Sequence, residues 1–206
     1  MSADPVGIFA GAADSFADLV GRLPAASWDG PGLGEWDLRA LVGHTTRSLI
    51  TVSAYLQTTA AREDVTSAAE YYVKVTPAAL GIDPAAVAQR GRQAGRDLGE
   101  DPAASVASLL ARARADVDVV PDDPLIEVIG GLGIRLSNYL PTRTFELVVH
   151  GLDIARAAGV DYAPPAEVLA DAVRLAADIA VISDRGPQVL LALTGRVALP
   201  PGFSLV

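Results

Sequence analysis

The chain holds only two histidines, His44 and His150, and no cysteine. Glu146 precedes His150 by four residues. On a helix that spacing leaves the two side chains about 40° and roughly 6 Å of rise apart, so carboxylate and imidazole can converge on one point from adjacent turns. Both donor types suit a zinc ion. A third ligand from a facing helix would complete the grip, and His44 is the only histidine left to provide it. Two nitrogens and one carboxylate leave a coordination position open, as in a catalytic rather than a structural site, although nickel, iron or manganese suit the same donors. Spacing alone more often means an ordinary helical pair at Glu146 and His150 and a merely packed His44.

Three neighbours bear on such a site. Arg143 lies one helical turn before Glu146 and is placed to hold a carboxylate of a ligand near the metal, or to pair with a neighbouring acid. Asp153, three residues after His150, can accept from an imidazole N–H, as metal-bound histidines usually require; the alternative is a contact with Arg156 or Arg39. Trp36 can wall a cleft or, in the favoured reading, close the start of a helix by packing. Asp184-Arg185 reads as a solvated turn. The chain has no phosphate-binding Gly loop and no Gly-x-Ser-x-Gly elbow. A Ser-His-Asp triad would have to take one of the two histidines already assigned.

Composition narrows the class. With 206 residues, half of them apolar, the chain can form one domain with a sizeable core. Its apolar content is mostly Ala, Val and Leu, which favours closely packed helices. The net charge of -9 argues against a nucleic-acid partner, and Lys74 is the only lysine. Met1 to Ala13 lacks the features of a signal peptide, and no window offers the roughly 20 apolar residues of a membrane span. A cytoplasmic protein, monomer or homodimer, is expected.

The elements that must position these residues follow from periodicity. Ile8, Phe9, Ala12, Phe16, Leu19, Val20 and Leu23 form one helical face ended by Pro24. After a Gly- and Pro-rich loop, Asp37 caps a helix running to about Ala61, with His44 two turns in. Ala68 to Val75 forms a turn or two before Pro77. Further helices are expected from Asp83 or Pro84 to Leu98 and from Pro102 to Val117, with breaks at Pro121 and Pro124. Leu125 to Leu140 has a helical pattern weakened by Gly130, Gly131 and Gly133. Pro141 either kinks that helix or starts the next, which ends at Gly159. One more helix spans Pro165 to Ile182. Val189 to Thr194 and Val197 to Leu199, around Gly195-Arg196, read as a small hairpin. The division expected is a helical metal-binding domain over residues 1–186 and a short β-rich tail over 187–206.

Two segments carry a family resemblance. Gly34-Glu35-Trp36-Asp37-Leu38-Arg39-Ala40-Leu41-Val42-Gly43-His44 and Thr142-Arg143-Thr144-Phe145-Glu146-Leu147-Val148-Val149-His150-Gly151-Leu152-Asp153-Ile154-Ala155-Arg156-Ala157 together resemble the mycothiol-dependent maleylpyruvate isomerase family. That family belongs to the DinB-like metal-binding four-helix bundles. The resemblance implies a mainly α fold, an up-down four-helix bundle with extra helices. It also implies a divalent metal, Zn2+ by expectation, on His44, Glu146 and His150, with mycothiol as thiol cosubstrate. It implies a transferase or isomerase acting on a small electrophile. Isomerase relatives continue into a larger C-terminal α/β domain, whereas the stretch Leu193-Thr194-Gly195-Arg196 to Leu199-Pro200-Pro201-Gly202 resembles the end of shorter actinobacterial members. Isomerisation of maleylpyruvate itself is therefore not carried over. The alternative is a non-enzymatic metal- or ligand-binding helical module of stress-response or sensor type.

Overall fold

A computed structural model of the chain describes residues 4–76, 79–81, 83–120 and 122–206. Asp4 caps the first helix, its carboxylate accepting from the N–H groups of Val6 and Gly7. That helix, α1 (Pro5–Gly21), buries Phe9, Ala12, Phe16, Leu19 and Val20, the expected face. Asp37 accepts from Ala40 N–H and starts α2 (Leu38–Tyr55). The helix stops short of Ala61 because the Thr58 hydroxyl lies within hydrogen-bond reach of the Tyr55 and Glu127 carbonyls, and the chain from Thr58 onward joins a strand edge.

Next come α3 (Ala68–Lys74), α4 (Pro84–Asp97) and α5 (Pro102–Asp118). The breaks expected at Pro77 and Pro121 fall outside the described residues, as does the start of the chain at Met1.

The helix expected from Leu125 is replaced by an antiparallel hairpin, β1 (Leu125–Val128) and β2 (Leu132–Arg135). Here burial alternates, with Ile126 and Val128 buried and Glu127 exposed, which is the period of a strand. Gly130 and Gly131 adopt φ of +83° and +71° in the connection, a conformation that a helix interior excludes. The preceding loop seals the edge: Asp64 and Val65 N–H groups donate to the Gly133 carbonyl. A Cβ at Gly133 would stand 1.9 Å from the Arg62 carbonyl oxygen, so glycine is required there.

Residues 136–158 form one continuous helix, α6 (Leu136–Ala158), with Pro141 inside it and Gly159 closing it at φ +65°. Of the two readings of Pro141, the start of a new helix does not apply, because the residue lies inside α6. Helix α7 (Ala166–Ile182) follows and packs on α6.

The tail differs from expectation. Residues Val189 to Leu193 belong to a helix, α8 (Gly186–Leu193), with Thr194 as its C-cap, and residues 187–206 contain no strand. Gly195 closes the helix instead of turning a hairpin. Its N–H donates to the Ala192 carbonyl, and Arg196 N–H donates to the Leu191 carbonyl, the paired bonds of a Schellman cap. A short, wholly apolar run has no periodicity that separates strand from helix, and Pro187 in the first turn favours the helix.

The bundle proper is a ring in which α1 and α2 each pack against both α5 and α6. Its core contains Phe9, Phe16, Leu41, Leu49, Leu140 and Leu147. Helix α4 lies on the outside of α2 at very close range. A Cβ on Gly43 would stand 2.2 Å from the Gly95 nitrogen, and one on Gly95 would stand 2.7 Å from the Arg39 carbonyl. These two glycines let the helix backbones touch, one residue before His44. No helix among the described residues is long and apolar enough to cross a membrane.

Candidate metal centre

His44 comes from the second turn of α2, and Glu146 and His150 come from successive turns of α6, which packs against α2. One ligand atom from each of the three lies within 4.8 Å of the others. His150 Nε2 stands 3.3 Å from Glu146 Oε2, and the two imidazole centres are 5.1 Å apart in an edge-on arrangement. The three residues that the sequence singled out are thus brought to one place.

Each is held from outside. His150 Nδ1 is 3.2 Å from Asp153 Oδ2, which leaves Nε2 directed at the cluster. Arg39 donates instead to the Gly99 carbonyl, so the contact of Asp153 is with the histidine. The Tyr72 hydroxyl lies 2.8 Å from Glu146 Oε1 and 3.0 Å from the Thr142 carbonyl, and its one proton serves either acceptor. Trp36 stacks on His44 with ring centres 4.5 Å apart. Its indole N–H donates to the Ala88 carbonyl, and its ring fills the space a Cβ on Gly91 would take. Trp36 is a packing residue that fixes the His44 ring, not a cleft wall.

The electrostatics divide the histidines. Burial and the nearby His150 charge push His44 down to about 4, so it is neutral at pH 7 with a free lone pair. For His150, burial opposes the charge, but hydrogen bonds to Asp153 and Glu146 outweigh it and raise the group to about 9. Burial likewise opposes ionisation of Glu146. The His150 hydrogen bond and the Arg143 charge overcome this and hold it at about 2. The donor set is a neutral imidazole, a carboxylate and an imidazolium that must lose its proton to ligate, and it fits a divalent transition metal.

The cluster opens into a cavity of about 440 Å³, within the range of small-molecule sites. Four of the chain's five tyrosines, Tyr55, Tyr71, Tyr72 and Tyr139, line it. Arg143 extends into the same space, its guanidinium carbon 5.4 Å from the Tyr71 ring centre and 5.0 Å from that of Tyr139. Among the described residues Arg143 forms no ion pair. Tyr71, Tyr72, Tyr139, Arg47 and Arg90 were not singled out by sequence. The signal available was rarity, since tyrosines in an aromatic-poor chain cluster at one site.

A helical bundle whose facing helices place two imidazoles and a carboxylate beside a cavity carries a donor set of the kind that could hold a metal ion. The sequence profile of the family described as mycothiol maleylpyruvate isomerase N-terminal domain matches residues 9–155, and the chain belongs to that family. No curated protein matches the chain. No solved structure matches it.

Proposed function

We propose that the chain is a metal-dependent enzyme that uses a low-molecular-weight thiol, mycothiol by family, in an S-transfer or isomerisation reaction on a small electrophile. The observation that carries this reading is the convergence of His44, Glu146 and His150 ligand atoms within 4.8 Å beside a cavity. These three residues would hold the ion, with zinc the first expectation. A divalent ion bound there supplies an open position at which a thiol is favoured as its thiolate, the reactive nucleophile. The chain has no cysteine, so the sulfur must come from the cosubstrate.

The remaining work falls to residues of the cavity. When sulfur bonds to an electrophilic carbon conjugated to a carbonyl, the electron pair displaced moves to the carbonyl oxygen. Arg143, permanently charged and braced by Tyr71 and Tyr139, would receive that negative oxygen or orient a carboxylate. Burial raises the hydroxyls of Tyr71 and Tyr139 above the ordinary phenol range, so both remain hydrogen-bond donors at neutral pH. Tyr72 is turned to Glu146 and orients that carboxylate.

The second reading is a binding module that keeps the metal site without turnover. Cobalt substitution separates the two. Addition of mycothiol to the cobalt protein is expected to give a thiolate charge-transfer band and conjugation of an added electrophile, both lost in His150→Ala. Conjugation that persists after metal removal would overturn the mechanism, and a band without turnover would favour the module.

A further inference from the structure

The end of the described chain returns to the site. Phe203 N–H donates to the Pro200 carbonyl at 3.1 Å, and Gly202 sits at φ +74°, the third residue of a type II turn. Beyond the turn, Arg185 donates to the Ser204 carbonyl and lies 5.6 Å over the Phe203 ring. Leu205 packs on the core, and Val206 joins the lining of the cavity. Arg185, which the sequence placed in a solvated turn, is the clamp of this strap.

The cavity itself is two-sided in chemistry. Arg47, Arg90 and Arg143, from α2, α4 and α6, all line it, and none forms an ion pair among the described residues. In a chain of net charge -9, three guanidinium groups facing the single lining side-chain carboxylate of Glu146 mark the cavity for an anion. Its apolar lining comes from Val75, Leu80, Val87, Ile129 and Val206.

We propose that the cavity takes a carboxylate joined to an apolar body, the guanidinium groups holding the carboxylate while the Phe203–Val206 strap limits how long the body can be. The ligand class names the substrate of the site described above and rests on that reading only for where reaction occurs. Anion recognition needs no metal here, because the arginines supply it. Val206 is a specificity-determining residue, and Arg185 is a positioning residue acting through the strap.

Calorimetric titration with phenylalkanoates from phenylacetate to 6-phenylhexanoate tests this on the full chain. Wild type is expected to bind the shorter acids and to reject longer ones beyond a fixed length. In Val206→Trp the longest acid that wild type binds should weaken about tenfold while phenylacetate changes little, and Val206→Gly should shift the cutoff to longer acids. Arg185→Ala, remote from the cavity, should shift it the same way. Absence of phenylalkanoate binding to wild type, or one length profile shared by all four proteins, would overturn the proposal. A His44→Ala protein that keeps its metal but retains the length profile would remove the metal reading and support this one.

Discussion

His150 Nδ1 faces Asp153 Oδ2 at 3.2 Å, so the histidine that shares α6 with Glu146 is oriented by a carboxylate one turn further along the same helix. A carboxylate behind a metal-binding imidazole fixes its tautomer and strengthens it as a donor. Asp153→Ala is therefore expected to weaken metal binding about 10–100-fold, measured by competition with a chelator of known affinity. An unchanged affinity would remove Asp153 from the site.

Metal uptake should release a proton. At pH 7 the metal-free protein carries a protonated His150, raised to about 9, and a neutral His44, lowered to about 4. Ligation displaces the His150 proton. Calorimetry in buffers of different ionisation enthalpy should report about one proton released at pH 7 and progressively fewer as pH rises past 9. The stability of the metal-free protein follows the same groups. The contribution of His150 is full below 6.5 and lost as pH rises through 9, whereas that of His44 is lost as pH falls from 6.5 through 4. Denaturant titration should find greatest metal-free stability between these limits, and a steady rise in stability from pH 7 to pH 10 would contradict the assignment.

Gly43 and Gly21 offer a matched pair of substitutions. Both are helical, and alanine has the higher helix propensity at either position. Gly43→Ala forces a methyl group against the Gly95 backbone and should cost about 1–3 kcal/mol, with disturbance at His44 beside it. Nothing lies within 4 Å of the position a Cβ would take on Gly21, so Gly21→Ala should be neutral or stabilising by up to about 1 kcal/mol. Chemical denaturation of the two variants checks the contrast.

Arg143→Met keeps much of the side-chain length while removing the charge from between Tyr71 and Tyr139. Metal content should stay at the wild-type value, since Arg143 is outside the ligand set, while carboxylate binding weakens about tenfold or more. Loss of metal in this variant would show instead that Arg143 is needed to hold Glu146.

The helices of the bundle were legible because long amphipathic segments carry repeated signals: Asp37 at a cap, Phe9 to Val20 on one face, Gly159 at a terminus. The meeting of His44 with Glu146 and His150 was legible from residue type and family resemblance, since periodicity places residues on faces but does not orient helices. The hairpin at Leu125–Arg135 was hidden because its strands are short and its glycines also weaken a helix. The tail is ambiguous for the opposite reason, as Val189 to Leu193 suits either state and only its flanks, Pro187 and the Gly195 cap, decide it. The tyrosine shelf under Arg143 is assembled from α3 and α6, and no local pattern announces contacts between separate elements.

The proposed function requires that His44, Glu146 and His150 together hold one metal ion. Metal content by mass spectrometry on untagged protein, wild type beside His44→Ala and Glu146→Gln, tests it most directly. About one transition metal per chain is expected in wild type and little in either variant, with all three proteins folded by circular dichroism. A folded wild type that takes up no metal after reconstitution with zinc, cobalt or nickel would contradict it.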